Sequence, residues 1–186
     1  MYIMVVVGSV IARIGSKRLT FKNLLPYKGV PLVLHALQKM LQSKLFDHIV
    51  LSTDSELIAR TCMHLEGLSI LKRPDELAQD QVPSVPVFQH IVTNFNCDIH
   101  LNYNCNFPEC PQIVFEQAIE MVAREGEVLS IPHAIWAQTK SCLDNYEDPF
   151  HITAKTFPAP DVFPLDIHEM DDLLKTYRAH QPALLW

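Results

Sequence analysis

The N-terminal segment reads IMVVVGSVIA over residues 3–12 and continues as RIGSKRLTFKN over residues 13–23. The first part is apolar and rich in β-branched residues, which predicts a buried strand. It is too short to cross a bilayer and no basic region precedes it, so we expect neither a transmembrane helix nor a signal peptide. The second part is a polar, basic turn. A buried strand that ends in such a turn is typical of α/β sheets, which bind ligands beyond the carboxyl ends of their strands.

Strand and helix patterns alternate along the rest of the chain. We predict strands at residues 49–52, 68–71, 99–102 and 128–131, and helices at residues 31–42, 55–66, 84–94 and 112–125. Thr53 or Asp54 is placed to cap the second helix, and Gly126 to end the fourth. The pattern weakens over residues 132–164, where we expect an edge strand at 150–153, and a short helix follows at 170–177. The alternation predicts a single α/β domain over residues 1–186 with a doubly wound, mostly parallel sheet.

The composition is that of a folded domain. The 186 residues are 48% hydrophobic and 19% charged, with a mean hydropathy of +0.09, which excludes disordered, collagen-like and coiled-coil chains. The five cysteines contain no C-x-x-C pair, which argues against a disulfide framework and a zinc ribbon and favours a reducing, cytoplasmic location. They are Cys62, Cys97, Cys105, Cys110 and Cys142.

Charge is distributed unevenly, although the net charge is only −6. Residues 1–46 contain seven lysines and arginines and no acidic residue, whereas five acidic residues lie between 161 and 172. If the two ends fold together, they place a basic cradle opposite carboxylates, an arrangement that suits a metal-bound polyphosphate. An acidic protein with few basic stripes is poorly suited to nucleic acid, so we expect no nucleic-acid partner. Two separate, oppositely charged surfaces are the alternative.

The basic turn carries the residue types of a phosphate site without the common signatures. It has neither the G-x-x-x-x-G-K-[ST] spacing nor the G-x-G-x-x-G spacing. Gly15 permits a turn whose N–H groups converge on an anion, and Ser16 supplies a hydroxyl. Fixed positive charge comes from Arg13, Lys17, Arg18 and Lys22. A phosphate site and a solvated basic loop both fit this composition.

The run IARIGSKRL at residues 11–19, with KNL at 22–24, resembles the N-terminal signature of the sugar-acid cytidylyltransferases, the family of CMP-sialic acid and CMP-Kdo synthetases. Later stretches agree in order: GVPL at 29–32, SKLFDHIVLSTDSE at 43–56, RPDELAQD at 73–80 and PS at 83–84. The resemblance is dense through about Val92 and is closest to the acylneuraminate branch.

This resemblance implies a Rossmann-like fold of the nucleotide-diphospho-sugar transferase type and transfer of CMP from CTP to a keto-sugar acid, with Mg²⁺ as cofactor. Arg13 and Lys22 would then hold the triphosphate as catalytic residues. The implied nucleotide-binding residues are Ala12, Gly15, Ser16, Lys17, Asn23, Arg73 and Ser84. Simpler roles are also open: Arg18 pairs with a surface acid, Asn23 caps a turn, or Ser84 only starts a helix.

Two later segments depart from the family pattern. Residues 101–108 read LNYNCNFP where the family carries an arginine and a threonine that receive the sugar acid, so the acceptor differs or is held elsewhere. Asn104 and Asn106 are candidate substrate contacts, or turn formers. Residues 165–173 read LDIHEMDDL, with His168 at the second aspartate of an Asp-Ile-Asp-x-x-x-Asp pattern. Asp166 is the expected metal ligand, and His168 would bind Mn²⁺ or Zn²⁺, cap the last helix, or mark a site without Mg²⁺.

Three hypotheses of function remain at this point. The first is an active cytidylyltransferase that acts on CTP and a small sugar acid, without a membrane partner. The second is a degenerate relative that binds nucleotide or a partner without turnover, and the third is a kinase-like or other phosphate site. Residues 132–164 lie where the family is expected to carry a dimerisation and sugar-binding insertion, so a homodimer is an open expectation. The apolar end Leu184, Leu185 and Trp186 would pack on the domain or join a partner.

Overall fold

The structure, a computed structural model, describes residues 4–182. Its strands are β1 (Val6–Ile11), β2 (Pro26–Tyr27), β3 (Val30–Pro31), β4 (His48–Thr53), β5 (Leu68–Lys72), β6 (Ile99–Tyr103), β7 (Glu127–Ile131), β8 (Ile135–Thr139) and β9 (Lys155–Pro158). Its α-helices are α1 (Leu32–Ser43), α2 (Glu56–Cys62), α3 (Ser84–Asn94), α4 (Gln112–Glu125), α5 (Lys140–Asp144) and α6 (Met170–His180). No helix within the described residues is long and apolar enough to cross a membrane.

Seven strands form one sheet in the order β5-β4-β1-β6-β8-β7-β9, and β2 and β3 form a separate hairpin. β1 is parallel to β4 and β6, whereas β8 is antiparallel to both of its neighbours. The prediction of a mostly parallel α/β sheet is confirmed. The chain runs outward from β1 to β4 and β5 and then returns to place β6 on the other side of β1. This reversal makes the carboxyl ends of β1 and β6 the switch point at which such sheets bind ligands.

Helices cover both faces of the sheet, as the doubly wound prediction requires. On one face, α1, α2 and α4 contribute Leu37, Ile58 and Phe115 to the largest apolar cluster. On the other face, α3 and α5 contribute Phe88 and Leu143 to a second cluster. The central strands are therefore buried on both sides, which explains why β1 is a continuous apolar run rather than an alternating one.

A smaller apolar cluster joins the two ends of the described chain. Leu19 and Tyr27, from the segment after β1, pack with Ile167 and with Leu173 of α6. The segment before α6 is thereby held against the basic turn. The charge pattern of the sequence anticipated this meeting of the two ends.

Most of the C-terminal acidic residues serve α6 itself. Glu169 and Asp172 form a capping box at its first turn, and Asp171 forms an ion pair with Lys175 at 2.7 Å. The expectation of a carboxylate cluster opposite the basic turn is therefore too broad. Helix capping and an ion pair within α6 account for these side chains.

The second predicted helix is too long, and its predicted cap is wrong. α2 ends at Cys62 because a turn follows it and leads to Gly67, whose φ is +81°. Its N-cap is Ser55, whose Oγ accepts the N–H of Ile58 at 3.3 Å. Asp54 instead accepts the N–H of Ile14 at 3.0 Å, so it stabilises the turn after β1.

The edge strand predicted at residues 150–153 is also wrong. The N–H of Phe150 donates to the Asp148 carboxylate at 2.9 Å, and the Thr153 hydroxyl donates to Glu127 at 2.6 Å. These side-chain bonds hold the segment in a turn and a loop. The edge strand is β9, which begins at Lys155 and pairs with β7.

The sequence patterns missed the β2–β3 hairpin, the antiparallel strand β8 and the short helix α5, and α6 extends three residues beyond the predicted end to His180. The helices at 84–94 and 112–125 have the predicted bounds. The expectations for Leu184, Leu185 and Trp186 lie outside the described residues.

Candidate functional site

A cleft of about 630 Å³ lies at the switch point of the sheet. Its walls come from the turn after β1, the loop between β5 and α3, the loop after β6, the β7–β8 hairpin and the segment before α6. The predicted residues that line it are Arg13, Gly15, Ser16, Lys17, Lys22, Asn23, Arg73, Ser84, Asn104, Asn106, Asp166 and His168. Ala12 is buried in the core instead.

The turn after β1 is tied to the end of β4 by backbone and side-chain bonds. The N–H of Ala12 donates to the Ser52 carbonyl at 3.0 Å, and the N–H of Ile14 donates to Asp54. Asn23 is buried and donates from Nδ2 to the Arg13 carbonyl at 2.9 Å. Asn23 therefore closes the turn, as its alternative role suggested, and it also lines the cleft.

Gly15 differs from the expectation of a glycine-dependent turn. It is not among the glycines with positive φ, and a Cβ built on it would meet no atom within 4 Å. The N–H of Ser16 donates to the Ile14 carbonyl at 3.1 Å, so this N–H does not converge on an anion in the cleft. The positive charge of the cleft comes from its lysine and arginine side chains.

Arg13 and Lys17 share one carboxylate across the cleft. Arg13 forms an ion pair with Asp80 at 2.6 Å and donates to the Ala78 carbonyl at 3.2 Å. Lys17 forms an ion pair with the other oxygen of Asp80. The hydrogen bond from Lys17, followed by the charge of Arg13, lowers the pKa of Asp80. The Asp80 carboxylate thus forms ion pairs with both cations at once.

Lys22 and Arg73 are held more deeply. Lys22 Nζ donates to the Ile167 carbonyl at 3.2 Å, and burial lowers the pKa of this lysine, opposed by the nearby groups Cys105 and Asp166. Arg73 is 4% exposed and donates to the Ser52 hydroxyl and carbonyl at 3.2 and 2.8 Å. Burial lowers the pKa of Arg73 to about 10, which leaves it charged at neutral pH.

The two asparagines after β6 have different partners. Asn104 accepts the N–H of Asn106 at 3.1 Å, so it forms the local turn that was the alternative to substrate contact. Asn106 donates from Nδ2 to Asp166 Oδ1 at 2.8 Å. Asn106 therefore orients the carboxylate that was the expected metal ligand.

Asp166 and His168 lie in one hydrogen-bonded row. Arg18 Nη2 is 2.9 Å from His168 Nδ1, and His168 Nε2 is 2.9 Å from Asp166 Oδ2. A guanidinium only donates, so Nδ1 of His168 is the acceptor and Nε2 carries the hydrogen that Asp166 accepts. Both ring nitrogens of His168 are thus engaged. His168 takes part in the cap of α6 only through its backbone N–H, which donates to Asp172 at 3.0 Å.

The described part of the cleft offers few ligands for a divalent metal. The described residues contain no group of three histidine, cysteine or acidic side chains that could hold a metal ion. Mg²⁺ bound together with a nucleotide needs only one or two carboxylates, because phosphate oxygens and waters complete its shell. Asp166 lines the same cleft as the basic residues and fits that requirement.

The family model described as Cytidylyltransferase matches residues 7–157, from within β1 to within β9. The chain belongs to the cytidylyltransferase family. The matched range contains the basic turn and the loops after β5 and β6. Asp166 and His168 lie beyond it.

Individual cytidylyltransferases agree with this assignment. The chain is similar to an N-acylneuraminate cytidylyltransferase of Streptococcus agalactiae serotype V, with 36% identity over 86 residues, which is 45% of this chain and 21% of that protein. The chain thus spans about a fifth of the length of this curated relative. In fold it resembles a CMP:2-keto-3-deoxy-manno-octonic acid synthetase solved with CTP, with a TM-score of 0.77, 15% identity and coverage of 94% and 98% of the two chains.

A second structural neighbour is a Mycobacterium tuberculosis protein solved in complex with manganese. Its TM-score is 0.65 at 16% identity, with coverage of 94% of this chain and 98% of that chain. At these identities the two structural likenesses concern the fold. The cytidylyltransferase fold therefore covers nearly all of this chain.

Sequence reasoning did not assign several residues that the cytidylyltransferase cleft brings together. Asp80 lines the cleft and lies in the quoted motif RPDELAQD, so its position in that motif was an available signal. Asn102, in β6, lies two residues before the predicted Asn104 and also lines the cleft. Trp136 lies in β8, which the patterns did not detect.

Proposed function

We propose that this chain transfers CMP from CTP to a hydroxyl of a keto-sugar acid and releases pyrophosphate. The observation that carries the proposal is the concentration of basic side chains in the cleft, which Asp166 also lines. These residues are Arg13, Lys17, Arg18, Lys22 and Arg73. A triphosphate needs this density of positive charge, and a cytidylyltransferase must bind one. A cytoplasmic location belongs to the proposal, because the five cysteines are free.

The proposed reaction is an in-line displacement at the α-phosphorus. The acceptor oxygen bonds to phosphorus, the bond from phosphorus to the bridging oxygen breaks, and the proton of the acceptor hydroxyl passes to water. Arg13, Lys17 and Lys22 stabilise the charge that develops on the leaving pyrophosphate. Since Arg13 and Lys17 are bound to Asp80, the nucleotide must displace this carboxylate before both can contact phosphate.

Asp166 would hold a Mg²⁺ that enters with the nucleotide, and Mn²⁺ is an alternative. Such an ion supplies charge stabilisation to the phosphate oxygens when it is bound. Asn106 and His168 orient the Asp166 carboxylate through its two oxygens. His168 as a direct ligand stays a prediction, because the ring must first release Arg18 or Asp166. The single-domain organisation and the homodimer also stay predictions.

The proposal is tested by CTP-dependent pyrophosphate release with N-acetylneuraminic acid and with Kdo as acceptors. Lys22→Met should lower kcat/KM by about 100-fold or more, because it removes a partly buried cation from the phosphate end. Lys44→Met is the matched control, since Lys44 is exposed at the end of α1, and its kcat/KM should stay within about twofold of the wild type. Nucleotide binding without pyrophosphate release from either acceptor would contradict turnover and favour a nucleotide-binding protein.

A further inference from the structure

The cleft has a second end that differs in chemistry from the phosphate end. Of the described residues that line the cleft, those from Val87 to Ile152 in the sequence include no lysine or arginine. This end is lined by the apolar side chains Leu129, Trp136 and Ile152 and by the amide of Asn102. An apolar wall with a few polar groups is typical of a site that recognises an organic ligand by shape.

Trp136 is the largest side chain of this end, and its ring is held on two sides. Phe88 contacts the indole edge to face, with a centroid distance of 5.4 Å and an interplanar angle of 87°. The indole Nε1–H donates to Glu127 Oε1 at 2.9 Å. The ring is only partly buried and lines the cleft. A flat apolar surface is therefore presented to the cleft in one fixed orientation.

Glu127 is the centre of this arrangement. It is 4% exposed, and its carboxylate accepts from Trp136, from Tyr146 at 3.0 Å and from Thr153 at 2.6 Å. Each of these donors is neutral, and a buried carboxylate depends on such bonds for its stability. Tyr146 and Thr153 flank the loop that carries Ile152. The buried Glu127 side chain thus fixes both the indole of Trp136 and the loop that places Ile152 in the wall of the cleft.

A row of buried polar groups connects this centre with the floor of the cleft. Gln138 donates to Glu127 at 3.4 Å and accepts from His100 at 3.3 Å. His100 in turn is 2.8 Å from the Ser9 hydroxyl, which is 3.3 Å from Asn102 Oδ1. Since Gln138 Oε1 only accepts, Nδ1 of His100 carries the hydrogen and Nε2 is an acceptor, so the single hydrogen of the Ser9 hydroxyl is given either to this nitrogen or to Asn102 Oδ1. Asn102 pairs with Trp136 in the register of β6 and β8, so the two side chains are neighbours on the sheet.

We propose that Trp136 is the specificity-determining residue of the acceptor end, where it contacts the apolar C–H face of a sugar ring, and that Glu127 is its positioning residue. The inference rests on the proposed function, because it assigns the second substrate of the same cleft. Asn102 supplies the polar contact to a ring hydroxyl. The triphosphate and the basic side chains lie at the phosphate end. At the acceptor end, the sugar is therefore recognised chiefly by the shape and hydroxyls of its ring.

The fluorescence of Trp136 tests the first part of this proposal. The chain has two tryptophans, so Trp186→Phe leaves Trp136 as the sole emitter. In the presence of CTP, addition of N-acetylneuraminic acid or Kdo should produce a saturable change in emission that CTP alone does not produce. A comparable change with CTP alone would overturn the inference, because the indole would then contact the nucleotide base. No change with either acid, while calorimetry shows CTP binding, would overturn the inference and leave the nucleotide site intact. Absence of CTP binding is the separate failure of the proposed function, and the inference falls with it.

Kinetic constants test the roles of the two residues. Trp136→Ala should raise the KM of the acceptor by about tenfold or more and change the KM of CTP by less than about twofold. If this variant does not fold, Trp136→Leu keeps an apolar side chain without an aromatic face and should give the same split. Glu127→Gln should raise the KM of the acceptor by about threefold or more and lower the fluorescence anisotropy of Trp136, since an amide cannot accept all of these bonds. Equal changes in the two KM values would show a merely structural role and overturn the assignment.

Discussion

At the scale of single residues, two glycines separate a requirement of the fold from a requirement of the cleft. Gly15 lines the cleft without a positive φ, and a Cβ there would meet open space. Gly67 lies outside the cleft with φ +81°, and a Cβ there would lie 3.3 Å from Leu41 Cδ2. The first glycine leaves room for a ligand, whereas the second permits a turn of the backbone.

Alanine at these two positions should therefore change different quantities, CTP affinity at Gly15 and folding stability at Gly67. Gly15→Ala should leave the melting temperature unchanged and weaken CTP binding on the order of tenfold, because the methyl group projects into space that the nucleotide needs. Gly67→Ala should lower the free energy of unfolding by roughly 1–2 kcal/mol and leave CTP affinity unchanged. Chemical denaturation and titration calorimetry check both variants. A stability loss at Gly15 with unchanged affinity would show that this glycine serves the turn and not the ligand.

At the scale of elements, β6 carries a histidine whose protonation opposes folding. His100 is fully buried, and burial lowers its pKa to about 4 from the ordinary value of 6.5. Between these values the unfolded chain binds a proton that the folded chain does not. The stability that this histidine contributes is therefore complete above about pH 6.5 and is lost as the pH falls towards 4, at up to about 1.4 kcal/mol per pH unit.

The slope of stability against pH checks this expectation. Burial also lowers the pKa of His35, in α1, to about 4, so the wild type should show the combined effect of two histidines. His100→Gln and His35→Gln should each reduce the slope between pH 6.5 and 4, measured as the urea unfolding free energy. If the His100→Gln variant keeps the full wild-type slope, the buried His100 is not a source of the pH dependence.

Some elements could be predicted from the sequence because local signals define them. α3 follows Pro83 and α4 ends before Gly126, so both helices have strong punctuation. β8 has no such signal. Its residue Gln138 is buried only because His100 and Glu127 satisfy its amide, and those partners are 38 and 11 residues away. Tertiary pairing of this kind is not visible in a local pattern.

The same difference between local signals and long-range contacts holds for the candidate site. Arg13, Lys17 and Lys22 could be found because one short segment carries them all. Asp80 is 63 residues from Lys17, and its ion pair depends on the parallel order of β1, β4 and β5. The acceptor end depends on Trp136 and Glu127, which meet across the antiparallel hairpin of β7 and β8. Contacts that the sheet topology creates could not be inferred from spacing.

At the scale of the whole molecule, the sheet and the terminal cluster together form a two-ended cleft. The reversal of strand order places the basic turn beside the loop after β6. The packing of α6 against the segment after β1 brings Asp166 to the same place. The cleft is therefore proposed as a CTP site, and every proposed role of its residues depends on CTP binding there.

Titration calorimetry of the purified chain with CTP, ATP and GTP, each with and without Mg²⁺, tests the claim most directly. We expect CTP to bind, Mg²⁺ to strengthen its binding, and ATP and GTP to bind at least about tenfold more weakly. Arg13→Ala should abolish the CTP signal, since it removes a cation from the phosphate end. Binding of ATP as tight as that of CTP, or the absence of binding by any nucleotide, would contradict the account.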